Sequence, residues 1–276
     1  MGFKELLKGK LSEEELKKVR RAFDLIGDIA IVEIPEGLEE KEGLIAEAIA
    51  KFHKNVKVVC KKTGVVSGEE RVRPLEVIYG ENRTETIHVE NGCRFKLDVS
   101  KVFFTPRLAS ERMRVVGKVR EGEIVADLFA GVGPYSIPIA KFAKPKVVYA
   151  IDKNPEAYKY LVENIKINKV VGKVLPFLGD CREVVEKEEI KGVDRIIMNL
   201  PKTADNFLDV AFGICKKGTT VHFYYFLKEE ELFWKGEEII KENAEKFNRR
   251  VKFLEERKCG ELAPRVYRVV IDFQIL

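Results

Sequence analysis

Three aspartates in the second half of the chain each close a short apolar run. Asp127 follows Ile124-Val125-Ala126, Asp152 follows the run 147–151, and Asp180 follows 174–178 after Gly179. Runs rich in branched apolar residues read as strands, so each carboxylate stands at a carboxyl edge. After Asp127 comes Leu128-Phe129-Ala130-Gly131-Val132-Gly133-Pro134. Its glycines let backbone approach a ligand, and Pro134 suits the first turn of a helix. A lone Gly-x-Gly carries little, and the third glycine of the dinucleotide fingerprint is absent here. The context decides. A carboxylate at the first strand end would repel a pyrophosphate but can hold an ammonium group. Asp152 can accept from both hydroxyls of a ribose, and Asp180 can meet an adenine amino group. One such Asp is most often a helix cap. Three in succession point to S-adenosyl-L-methionine, with Asp127, Phe129, Ala130, Gly131, Gly133, Asp152 and Asp180 as its expected binding residues.

The fourth apolar run ends Met198-Asn199-Leu200-Pro201-Lys202. Methylases of exocyclic amines carry an aromatic in the last place of a similar tetrapeptide. Lys202 stands there instead, so that chemistry is disfavoured, and by itself the loop reads equally as a turn. Asn199, next to the cofactor edge, is a further candidate cofactor contact. A second cluster is Pro106-Arg107-Leu108-Ala109-Ser110-Glu111-Arg112, with Arg114 just beyond. Its arginines form either a solvated surface or a site for phosphates beside a flipped-out nucleotide. Glu111 alone would read as a helix-surface residue paired with Arg107 or Lys118.

These stretches together are more specific than any one of them. Gly80-Glu81-Asn82-Arg83-Thr84-Glu85-Thr86-Ile87-His88, Asn91-Gly92, the run from Lys101 to Arg112, the Asp127–Pro134 loop and Asn199-Leu200-Pro201-Lys202 resemble the archaeal and eukaryotic tRNA (guanine-N1)-methyltransferases that modify guanosine 37. The resemblance covers essentially the whole chain. It implies transfer of a methyl group from S-adenosyl-L-methionine to N1 of guanosine 37, with the tRNA anticodon loop as partner and no metal. That family commonly carries a further N-terminal module that grips the tRNA elbow, and this chain starts where the second domain would. Guanine N1 is protonated at neutral pH, so methylation needs a base and donors for the charge shifted to O6. Glu111 matches the family's catalytic glutamate. A free Glu titrates near about 4.3, so burial is expected to raise it. Arg71 matches the arginine that steadies O6, Asn199 can donate to the same oxygen, and Pro201 can wall the base. Phe103 matches a pocket aromatic, and Arg107, Arg112 and Arg114 are the expected phosphate contacts.

The elements that must position these groups fall into two parts. Residues 1–105 read as a small α+β domain for tRNA binding or linkage. A capping box at Ser12 and Glu15 opens a helix running to about Ile26. A strand over 28–34, a helix over 41–52, strands over 56–60 and 71–79, and a hairpin 84–89/94–99 around Asn91-Gly92 follow. Residues 106–276 alternate strand and helix. Strands are expected at 124–127, 147–151, 174–178, 195–199, 219–225, 251–258 and 267–273. Helices of ten to twenty residues separate the first six, and a short loop joins the last two. That order implies a parallel sheet with one reversed strand, the class I (Rossmann-like) α/β methyltransferase fold.

Composition narrows the alternatives. The chain has 276 residues, 45% hydrophobic, with 50 Lys+Arg against 45 Asp+Glu, so disorder and collagen-like architectures are excluded. No apolar run approaches the roughly 20 residues of a membrane span, and the N-terminus lacks a signal-peptide core. A cytoplasmic location is expected. The cysteines at 60, 93, 181, 215 and 259 and the histidines at 53, 88 and 222 offer neither a CxxC pair nor ligand spacing, so buried inert thiols are expected. The nearest rival is the wyosine-pathway aminocarboxypropyltransferase, which uses the same cofactor but usually departs from the Asn-Leu-Pro motif. A rival of another class, a non-catalytic RNA-binding protein, should have lost Asp127, Asp152 or Glu111.

Overall fold

The computed structural model describes residues 2–64 and 74–276. They divide into two compact units, Met1–Pro106 and Arg107–Leu276.

In the first unit the Ser12 hydroxyl and the Glu15 carboxylate close a reciprocal cap on α1 (Glu13–Lys18). The helix ends far short of Ile26. Val19 turns extended, and β1 (Asp24–Ile26) pairs antiparallel with β2 (Ile29–Val32) across Gly27-Asp28. The apolar spacing that suggested one helix serves a short helix followed by a strand. The helix α2 (Glu42–Phe52) carries the chain from β2 to a parallel β3 (Val58–Lys62), and β4 (Leu75–Gly80) completes the sheet β1-β2-β3-β4. Ile45 and Ile49 bury one face of α2 on Ala30 and Val59. The expected hairpin is present as β5 (Glu85–Glu90) and β6 (Cys93–Asp98), with Asn91 and Gly92 both at positive φ in the turn. Arg83 fastens its start by donating to both carboxylate oxygens of Asp28 at 3.0 and 2.5 Å.

The second unit begins with α3 (Ala109–Lys118), then β7 (Ile124–Asp127), α4 (Ser136–Phe142), β8 (Val147–Asp152), α5 (Pro155–Ile167), β9 (Val174–Leu178) and α6 (Cys181–Lys187). It continues with β10 (Val193–Met198), α7 (Leu208–Ile214), β11 (Cys215–Lys228), α8 (Trp234–Lys246), β12 (Val251–Ala263) and β13 (Val266–Ile275). The sheet order is β12-β13-β11-β10-β7-β8-β9, with only β13 antiparallel to its neighbours. This is the expected α/β class. Three of the helices, α4, α6 and α7, are seven residues long rather than ten to twenty. The shortfall is loop at the carboxyl edge, where Gly131–Tyr135 and Asn199–Thr203 lie. Ile196, Met198, Phe223 and Phe273 pack with Phe212 and Ile240 in one core cluster. Among the described residues no helix is long and apolar enough to cross a membrane.

Candidate functional site at the carboxyl edge of the sheet

Asp127 ends β7 almost fully buried, 1% exposed. Its Oδ2 accepts from the Ser136 hydroxyl at 2.7 Å, while its Oδ1 is buried without a hydrogen-bond partner. Burial pushes the Asp127 carboxyl up to about 7, with the Ser136 bond opposing and the nearby Asp152 charge reinforcing. A buried acceptor left open is costly, so a donor or cation is the group that completes it. An α-ammonium group fits. Asp152 ends β8, and its Oδ2 accepts from Gly131 N–H at 2.6 Å and its Oδ1 from Asn154 N–H at 2.9 Å. Thus Asp152 also fastens the glycine loop to the sheet. Gly131 has φ of 55° with open space where a Cβ would sit, whereas a Cβ on Gly133 would press Ile137 at 2.7 Å. The first leaves room before the backbone; the second seats the loop on α4. Phe129 and Ala130 flank this turn, Phe129 edge-on to Phe207 at 5.0 Å and Ala130 buried. Asp180 caps α6 by accepting from Arg182 N–H at 2.9 Å. Asn199 follows β10, and its Oδ1 is buried with no partner, a second open acceptor at the same edge. Pro201 is buried and its carbonyl accepts from Phe226 N–H at 3.0 Å. The arrangement therefore fits S-adenosyl-L-methionine.

Glu111 lies in the first turn of α3 and is 8% exposed, not on a helix surface. Its partner is neither Arg107 nor Lys118 but Arg114, one turn on. Arg114 Nε donates to Oε2 at 2.8 Å and Nη2 to Oε1 at 2.7 Å, a bidentate pair. The Tyr224 hydroxyl donates to Oε1 at 2.6 Å. Oε1 thus takes two donors and Oε2 one, which leaves Oε2 the more open oxygen for a further N–H.

Sequence reasoning missed what holds this pair. Arg114 Nη1 also donates to Asp272 Oδ2 at 2.6 Å and to Glu255 at 3.2 Å. Asp272 Oδ1 lies 2.6 Å from His222 Nδ1, and His222 Nε2 lies 2.8 Å from Arg195 Nη1. Arginine can only donate, so Nε2 accepts and Nδ1–H donates to Asp272. Burial lowers the His222 pKa, keeping it neutral. Burial alone would raise Asp272, but His222 and Arg114 hold its carboxyl well below the usual range. Arg195 is fixed in turn by Glu123 at 2.7 Å. The only sequence signal was period two: His222 and Tyr224 share one face of β11, opposite Asp272 and Val270.

Two expected phosphate contacts are corrected. Arg112 is 2% exposed, and Arg114 is committed to three carboxylates, so neither presents its charge to a strand in solvent. Arg107 is exposed in the turn before α3. Phe103 is half-buried after β6 in the first unit. Arg71 lies outside the described residues. Four cysteines are buried, and burial pushes the Cys60 and Cys181 thiols up to about 11 and 12.

Residues 86–252 match the TRM5/TYW2 methyltransferase domain. The chain belongs to that family. Residues 3–84 match the TYW2 N-terminal domain. The chain is 51% identical to tRNA (guanine(37)-N(1))-methyltransferase Trm5b of Pyrococcus abyssi, over 95% of this chain and 77% of that one. It is 40% identical to tRNA(Phe) (4-demethylwyosine(37)-C(7)) aminocarboxypropyltransferase of Methanocaldococcus jannaschii, over 91% of this chain and 96% of that one. The solved complex of aTrm5 and tRNALeu superposes on all of this chain, and 78% of that one, with TM-score 0.88 and 40% identity. A TRM5/TYW2 family member thus carries the open carboxylate and the open amide at the carboxyl edge of its sheet, and a paired glutamate on α3 that reaches the sheet through Tyr224.

Proposed function

We propose that this chain transfers the methyl group of S-adenosyl-L-methionine to N1 of guanosine 37 in tRNA. The observation that carries the reading is Glu111: a buried carboxylate, held from two sides, with one oxygen left for an N–H. When bound, the cofactor supplies an electrophilic methyl on a sulfonium. The rest is done by the chain. Glu111 Oε2 takes the N1 proton while the N1–C bond forms, so the guanine leaves neutral. Arg114 and Tyr224 fix the direction of that carboxylate. The Asn199 amide lies beside the cofactor edge, where it can hold guanine O6 or the cofactor. Asp127 binds the ammonium group, Asp152 the ribose and Asp180 the adenine edge. Residues Met1–Pro106 serve tRNA binding, together with Arg107 on the second unit. With the proposed action on tRNA, a cytoplasmic location is inferred.

The TYW2-like N-terminal match supports a second reading, in which the same cofactor delivers its aminocarboxypropyl group to a wyosine precursor. Nucleoside mass spectrometry separates them. Unmodified tRNA transcript incubated with cofactor should yield 1-methylguanosine. Its absence, with an aminocarboxypropyl adduct on demethylwyosine tRNA, would replace the first reading by the second.

A further inference from the structure

Among the described residues, an arginine on the Tyr224 face of the sheet makes no ion pair. Arg268 lies near the start of β13, paired across to Phe226 of β11. The two-residue period of both strands puts Arg268, Val270 and Asp272 on one face with Phe226, Tyr224 and His222. That is the face on which Tyr224 meets Glu111. Asp272 sits at the inner end of this row, and Arg268 at the carboxyl edge.

Among the described residues Arg268 makes no ion pair. Its Nε is buried without a hydrogen-bond partner, and its guanidinium rests over the Phe226 ring at 5.4 Å. It lies within electrostatic reach of Tyr135, Tyr224 and Arg112, and burial lowers its pKa from the ordinary value. An arginine remains a cation even so. A half-buried guanidinium flanked by phenols and a second arginine, with no carboxylate, is completed by an anion that arrives with a ligand.

Two anions could come to this edge, a tRNA phosphate and the carboxylate of the cofactor. The sheet order β13-β11-β10-β7 separates Arg268 from Asp127 by three strands, about 14 Å at roughly 4.8 Å per strand. The amino and carboxylate groups of one α-amino acid lie only a few bonds apart, and the Arg268 guanidinium is held over Phe226 on β11. A phosphate is therefore the better fit than a carboxylate whose amino group sits at Asp127. We infer that Arg268 binds a backbone phosphate of the tRNA next to the target guanosine. The inference rests on the tRNA reading above.

The test uses the whole chain, with Arg268→Gln and with tRNA carrying single neutral methylphosphonate linkages flanking guanosine 37. Arg268→Gln should weaken tRNA binding about tenfold or more. The slope of log K against log salt should become shallower by about 0.7–0.9, one phosphate's share. Calorimetric affinity for S-adenosylhomocysteine and the rate at saturating tRNA should stay near wild type. One methylphosphonate should weaken binding to the wild-type chain and leave binding to Arg268→Gln unchanged. The methylphosphonate series on the wild-type chain stands even if the variant folds poorly: no sensitive linkage there overturns the assignment. So does a folded Gln variant with wild-type affinity and slope, or one that loses cofactor affinity instead. A wild-type chain without salt-dependent tRNA binding would sink the tRNA reading itself.

Discussion

The proton on Asp127 should govern how tightly the cofactor is held. Its carboxyl sits at about 7 because it is buried, with Oδ1 unpartnered. Pairing with an ammonium group demands the carboxylate, so binding must expel a proton wherever the free protein holds one. About 3% of chains are ionised at Asp127 at pH 5.5 and about half at pH 7, so affinity should rise about fifteenfold between them. The ligand's own ammonium stays largely protonated over that range, since α-amino groups titrate near about 7.7–8.0. Calorimetry with S-adenosylhomocysteine, in buffers of different ionisation enthalpy, reads both the affinity and the proton released. Asp127→Asn should bind weakly and flatten the curve. Stability runs the other way: the folded pKa lies above the unfolded value of about 3.9, so the Asp127 contribution falls as pH rises from 4 through 7. Ligand should therefore raise the melting temperature more at pH 7 than at pH 5.5. A wild-type affinity that is flat across this range, or proton uptake on binding, refutes the ammonium–Asp127 pairing.

Three other outcomes are expected. Glu111→Gln should cut single-turnover methylation by roughly 10²–10⁴ while leaving cofactor affinity in place; a near-normal rate removes Glu111 from the mechanism. Asp152→Ala should lower cofactor affinity about tenfold or more, through lost ribose hydrogen bonds and a released Gly131; unchanged calorimetric affinity would move the ribose elsewhere. Asp272→Asn leaves Arg114 and His222 facing a neutral amide in the core and should cost about 3–5 kcal/mol in denaturant unfolding. Because the Asp272 carboxyl is held low, its contribution is present above the unfolded value of about 3.9 and lost as pH falls. The gap between variant and wild type should therefore narrow in acid, and equal stability at neutral pH would count against the buried network.

Local chemistry made much of this protein legible from sequence. Asp127, Asp152 and Asn199 are read correctly as strand-end residues because each is a few bonds from a branched apolar run. The Asn91-Gly92 turn is equally local, since backbone sterics decide it. Parallel order followed from strand–helix alternation, because a parallel crossover needs an intervening segment. Local reading failed where two elements compete for one apolar spacing. The face Leu16, Val19, Phe23 and Ile26 suits a helix, but pairing with β2 makes its second half a strand.

The setting of Glu111 was decided only by tertiary structure. Spacing alone places Arg114 within one turn of Glu111, yet equally allows Arg107 or Lys118. Asp272 and Tyr224 choose Arg114, and they come from β13 and β11, more than a hundred residues away along the chain. Those strands are neighbours because the last one reverses, a long-range pairing that no residue window contains. The same packing buries Arg112 and, among the described residues, leaves Arg268 without an ion pair. An arginine's type is written in the sequence. Whether it is satisfied depends on which strands meet.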